Sequence, residues 1–110
     1  MDLSFYCVVT TTTDRESVAD KIAQALLEQG LAACVQVHPV NSRYIWKGAV
    51  ERADEWSLAI KARAADFDAV AATIRALHTY ETPEILALPI LAGDEATLAW
   101  LAQATGRGTE

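Results

Sequence analysis

Basic residues, sulfur and proline are all scarce in this chain. Lysine and arginine number nine against fifteen aspartates and glutamates, for a formal net charge of −6 over 110 residues. The basic residues are scattered singly, from Arg15 to Arg107, with no cluster among them. Nucleic-acid binding needs grouped Lys and Arg to neutralise phosphates, so it is disfavoured, as is docking on an anionic membrane. The longest apolar run, Ile85 to Ala92, is interrupted by Pro89 and is far too short to span a bilayer. The opening Met1-Asp2-Leu3 puts an acid where a secretory leader would carry basic residues, so no signal peptide is expected. The two cysteines, Cys7 and Cys34, form neither a CxxC pair nor a disulfide framework, which makes a reducing cytoplasm the expected location. Also missing are a G-x-S-x-G elbow, a Walker loop and a dinucleotide glycine motif. A binding protein is therefore expected, not an enzyme, and no catalytic residue is assigned.

What is present fits one small globular domain over residues 1–105, followed by a short tail over 106–110. The hydrophobic share of 52% and charged share of 22% are ordinary for such a domain. A chain of this length buries a modest fraction of its surface, so association with copies of itself is expected. Leu3 to Thr12 is β-branched and aromatic, and apolar on both faces, as in a central strand covered on both sides. Thr13-Asp14-Arg15-Glu16 has the spacing of a capping box, and Val18, Ile22 and Leu26 then recur along a helical stripe that Gly30 ends. Ala32 to Trp46 reads as a long strand, broken or bulged at Pro39. Lys47-Gly48 reads as a two-residue turn, with a return strand from Ala49 to about Ala62. Strands this long overshoot a small domain and leave apolar surface and edges for a neighbour to cover.

Phe67, Val70, Ile74 and Leu77 mark a second helix over 66–77. A loop from His78 to Pro83 and a fourth strand over 84–91 follow, with Pro89 pointing to an edge or bulged position. Gly93-Asp94 opens a final helix that carries Leu98 and Leu101 on one face. The order β-α-β-β-α-β plus a C-terminal helix predicts an α+β fold: a ferredoxin-like antiparallel sheet with a long β-hairpin.

Five blocks then stand out in order. They are Leu31-Ala32-Ala33-Cys34-Val35, the hairpin tip Ser42-Arg43-Tyr44-Ile45-Trp46-Lys47-Gly48, Glu55 with Lys61, the loop His78-Thr79-Tyr80-Glu81-Thr82-Pro83-Glu84, and Leu98-Ala99-Trp100-Leu101. Together they resemble the CutA family, and they cover nearly the whole chain. The resemblance implies a homotrimer held by intersubunit pairing of the long hairpins, an architecture similar to PII signalling proteins, and a role in tolerance to copper and other divalent cations. It also implies clefts between subunits as the place for a metal. The chain departs from the family pattern at Thr79, Thr97 and Ala62. Thr11 stands where some bacterial relatives have a copper-linked cysteine, and Leu77-His78 stands where they have paired histidines.

Soft sulfur and imidazole donors suit copper or zinc, but no two of Cys7, Cys34, His38 and His78 have the spacing of a local chelate. Any metal site must be assembled in space, and the candidate ligands are His78, Cys34 and Glu84. Each has a plainer alternative: a small packed cysteine, a histidine at a helix C-terminus, a hydrogen-bond acceptor at a subunit contact. Tyr44, Trp46, Lys61 and Tyr80 are candidates for the intersubunit cleft. Lys61, near the end of an apolar strand, calls for a partner such as Glu84 or for an anionic ligand. The second functional reading is accordingly a PII-like module that binds a small anionic metabolite and a protein partner.

Overall fold

A computed structural model describes residues 5–106. Four strands and three helices follow one another: β1 (Tyr6–Thr13), α1 (Glu16–Glu28), β2 (Ala32–Trp46), β3 (Ala49–Arg63), α2 (Phe67–Leu77), β4 (Leu86–Pro89) and α3 (Glu95–Ala104). A 3-10 turn, Ala64–Asp66, leads into α2. The sheet is antiparallel with strand order β2-β3-β1-β4, the order of the ferredoxin-like arrangement. The expected Leu3 and Ser4 of the first strand and residues 107–110 of the tail lie outside the described residues.

The alternation along β1 sorts its side chains. Cys7, Val9, Thr11 and Thr13 are buried, while Tyr6, Val8, Thr10 and Thr12 face the other way and are half-buried. Cys7 and Val9 pack with Leu58 and Ile60 of β3 against Val18, Ile22 and Leu26 of α1 and Val70 and Ile74 of α2. Both helices therefore cover one face. The opposite face keeps Val8 beside Leu88 and Thr10 beside Leu86. Leu86 and Leu88 are 54% and 51% exposed there, which leaves an apolar patch on the β4 side of this face.

β2 and β3 pair without a break from Val35–Ile60 to Trp46–Ala49. Beyond Pro39–Trp56 they run past the helices as an arm, which stretches the molecule to 45 Å in its longest dimension. Lys47 and Gly48 close the arm with φ of 51° and 81°, both left-handed, as a two-residue turn matched to strand twist requires.

Three local expectations are corrected. β1 continues through Thr13, which pairs with Trp56, and the cap of α1 is Arg15 with no side-chain cap hydrogen bond. Thr13 Oγ1 accepts only the Arg15 amide, at 3.3 Å, because the β1–β3 ladder holds Thr13 ahead of the helix. β2 is not interrupted at Pro39; its irregularity falls between Ala32 and Cys34. As an edge strand β2 has a neighbour on one side only, so it tolerates a residue without an N–H. β4 is shorter than expected and, like β2, lies at a sheet edge.

Candidate functional site

A cleft of ≈ 760 Å³ opens between the arm and the loop that joins α2 to β4. Its geometry starts at His78, where α2 ends: the His78 amide still donates to the Ile74 carbonyl, but its backbone is extended (φ −77°, ψ 149°). The ring then reaches back across the sheet. Nε2 lies 2.7 Å from the Thr12 carbonyl oxygen, and Nδ1 accepts the Tyr80 amide at 3.1 Å. An amide can only donate and a carbonyl can only accept, so the neutral ring protonated at Nε2 satisfies both. The His78 and Tyr80 rings sit 4.6 Å apart at 55°.

Tyr80 in turn donates its hydroxyl to Glu55 Oε2 at 2.5 Å. The result is a chain of contacts, Thr12–His78–Tyr80–Glu55, that ties β1, the loop and β3 together at the base of the arm. Desolvation, then the hydrogen bond to Glu55, then the charges of Glu55 and Asp14 push the Tyr80 hydroxyl well above the ordinary tyrosine value. Glu55 itself is only 6% exposed. It stands opposite Val40, at the base of the arm, with the Tyr80 hydroxyl on its carboxylate.

Around this base the lining is acidic and aromatic. Asp14 follows β1, Tyr44 and Trp46 come from the arm, and Glu81 and Glu84 come from the loop. Arg43 is the one cation among the lining residues. Tyr44, Trp46, Tyr80 and Glu84 all line this one cleft within a single chain. Lys61 does not join them: its Nζ donates to Gln36 Oε1 at 3.2 Å on the face of the sheet turned away from α1 and α2, and Glu84 is not its partner.

The candidate metal ligands do not converge within one chain. Cys34 lies near the start of β2, opposite Lys61 of β3, and does not line the cleft, whereas Glu84 lines it from the α2–β4 loop. Both His78 ring nitrogens are engaged by main-chain groups. Among the described residues no three His, Cys, Asp or Glu side chains are grouped so as to hold a metal ion. Cys7 is buried, and desolvation together with the charge of Asp66 raises its thiol, so it is a packing residue.

Two other residues carry more structure than their sequence positions suggested. In the sequence Glu55 is one position of the family pattern, and no local spacing links it to Tyr80. Arg63, only 8% exposed, donates Nε to Thr105 Oγ1 at 2.8 Å and a terminal nitrogen to the Ala102 carbonyl at 2.8 Å, which fastens the end of α3 to the sheet. No local pattern in the sequence links Arg63 to Thr105, 42 positions further on.

Topology and site together define a class: a small ferredoxin-like α+β protein whose cleft lies between a projecting hairpin and the α2–β4 loop. Residues 7–104 match the profile of the CutA1 divalent ion tolerance protein family, and the chain belongs to that family. It is 43% identical over 100 residues to the divalent-cation tolerance protein CutA of Thermus thermophilus, covering 90% of this chain and 97% of that one. It is 41% identical over 83 residues to the Archaeoglobus fulgidus protein of the same name, covering 76% and 81%. The solved T. thermophilus structure superposes with a TM-score of 0.88 at 42% identity over 92% of this chain and 99% of that one. The A. fulgidus structure, described as a periplasmic divalent cation tolerance protein, gives 0.88 at 35% identity over 91% and 98%.

Proposed function

We propose that the chain acts without catalysis, as a cytoplasmic homotrimer that takes a divalent cation, copper being the first candidate, in or near the clefts between subunits. The observation that carries this reading is the apolar surface left exposed on the β4 side of the sheet and along the arm. Val8, Leu86 and Leu88 form an apolar patch. At the arm tip Ile45 and Val50, paired across the strands, are 69% and 71% exposed. Between the tip and the sheet Arg43 sits opposite Arg52, and like charges directly across an antiparallel pair destabilise it. All three features favour contact with another protein surface, and a second copy supplies it with no further component.

The same reading accounts for dispersed ligands. Cys34, His78 and Glu84 lie apart in one chain, so a cation held by any of them needs donors from a neighbouring subunit. For His78 to take part, one of its main-chain hydrogen bonds must be given up. The family to which the chain belongs is named for divalent ion tolerance, which agrees with a cation ligand. The anionic-metabolite alternative has less support, because Lys61 is bonded to Gln36 and lies outside an acidic cleft.

Light scattering should give about three times the 11.9 kDa of one chain. Titration with Cu(II) and Zn(II) should be saturable, and weaker in Glu84→Gln. A mass near that of one chain would refute the trimer; heats of dilution alone for both ions would refute the metal role.

A further inference from the structure

We propose that the Tyr80–Glu55 hydrogen bond is a latch, through which the α2–β4 loop and the base of the arm open and close as one unit. The inference does not depend on which cation or neighbour the protein takes. On the arm side, Val40–Glu55 is the last level of the hairpin bonded to the rest of the molecule. Beyond it the two strands are bonded to each other alone among the described residues, as in the Asn41 side chain on Asp54. On the loop side, residues 79–85 belong to no helix or strand. Their hydrogen bonds among the described residues are the two made by Tyr80, its amide to His78 Nδ1 and its hydroxyl to Glu55 Oε2. His78 in turn rests on the Thr12 carbonyl, so the inner end of the loop is fixed to β1. Between the loop and the arm there is one hydrogen bond, and it is Tyr80 to Glu55.

The burial of the acceptor makes this bond a latch and not an incidental contact. Glu55 is 6% exposed, and the Tyr80 hydroxyl is its one hydrogen-bond donor among the described residues. A buried carboxylate deprived of its donor is costly, more so than the bond itself is stabilising. Water must then replace the hydroxyl, and it gains entry when the loop lifts or the arm base shifts. With the hydroxyl in place, neither segment moves far from the other without breaking a charge-assisted bond. Opening the cleft and swinging the arm are then a single event. A contact that holds the arm at its latched angle therefore also holds the loop, and the reverse is equally true.

Residue-resolved amide hydrogen exchange on the intact protein, followed by NMR against urea, tests the latch. In the wild type the Tyr80 amide and the ladder amides among residues 40–42 and 53–56 should open with the same urea dependence. Tyr80→Phe keeps the ring beside His78 and removes the donor. It should speed exchange about tenfold both at residue 80 and at the arm base, the low end for losing a bond to a charged group. Tyr44→Phe removes a hydroxyl from the same cleft without touching the latch, and should change neither. Adding Glu55→Met to Tyr80→Phe removes the acceptor as well, so arm-base exchange should return to within about threefold of the wild type. Arm-base exchange unchanged in Tyr80→Phe would overturn the proposal, as would an equal acceleration in Tyr44→Phe or no recovery in the double variant. Acceleration spread evenly over β1 and the helices would also overturn it, because the bond would then be holding the core. Should Tyr80→Phe fail to fold, the wild type decides alone: different urea dependences at Tyr80 and the arm base would refute the latch, and a shared one would support it.

Discussion

Tyr80 is the residue whose chemistry the fold alters most. Its hydroxyl is stabilised in the neutral form by burial and by the Glu55 carboxylate, so its folded-state value lies above the ordinary 10.0. A raised value contributes stability that is complete below the unfolded value and is lost as pH rises through the folded one. Stability should therefore hold up to about pH 10 and fall above it, and Tyr80→Phe should show a shallower alkaline decline in urea unfolding followed against pH. Thr11 offers the opposite case. Its Oγ1 is fully buried and has no partner among the described residues. Thr11→Val keeps the shape and removes the stranded hydroxyl, so it should stabilise the protein by about 1 kcal/mol, read from the same unfolding curves. Neither property is legible in the sequence. Glu55 and Tyr80 are 25 positions apart and meet only because the arm leaves the sheet beside the α2–β4 loop. Thr11 looks like any β-branched strand residue until the packing around it is known.

At the scale of elements, the periodic signals carried through. The stripe Val18, Ile22, Leu26 faces the core, the Lys47-Gly48 turn has the backbone its residues suggest, and Asp94 caps α3 by accepting the Ala96 amide at 3.1 Å. The misread boundaries share one cause. Thr13 has the local features of a helix cap, but pairing with Trp56 keeps it in β1. Pro39 looks like a strand breaker, but the edge position of β2 accommodates it. In both cases sheet neighbours outweighed local preference, and those neighbours are distant in sequence. The attachment of α3 is another long-range contact, made through Arg63 to Thr105 and Ala102. Arg63→Met keeps the length of the side chain and loses its donors. It should cost about 2–3 kcal/mol, with hydrogen exchange in α3 speeding up while β1 and β3 stay protected.

For the molecule as a whole, the apolar patch beside β4 and the arm set the expected behaviour. Leu88 sits in that patch beside Val8 and contributes little to the core of a single chain. Leu88→Lys should leave secondary structure by circular dichroism unchanged while shifting the light-scattering mass towards one chain. An unchanged mass would place the subunit contact elsewhere. The arm has a further consequence for how the molecule comes apart. Inward of Pro39–Trp56 the hairpin rests on helices; outward of Val40–Glu55, where Tyr80 still holds Glu55, the two strands are bonded to each other alone among the described residues. A single chain should then melt in two tiers, the distal ladder opening and closing many times for each opening of the core. Whatever settles against the arm, whether neighbour or ligand, would act first by closing that gap in cooperativity, and the outer amides would report it before any change in the overall fold.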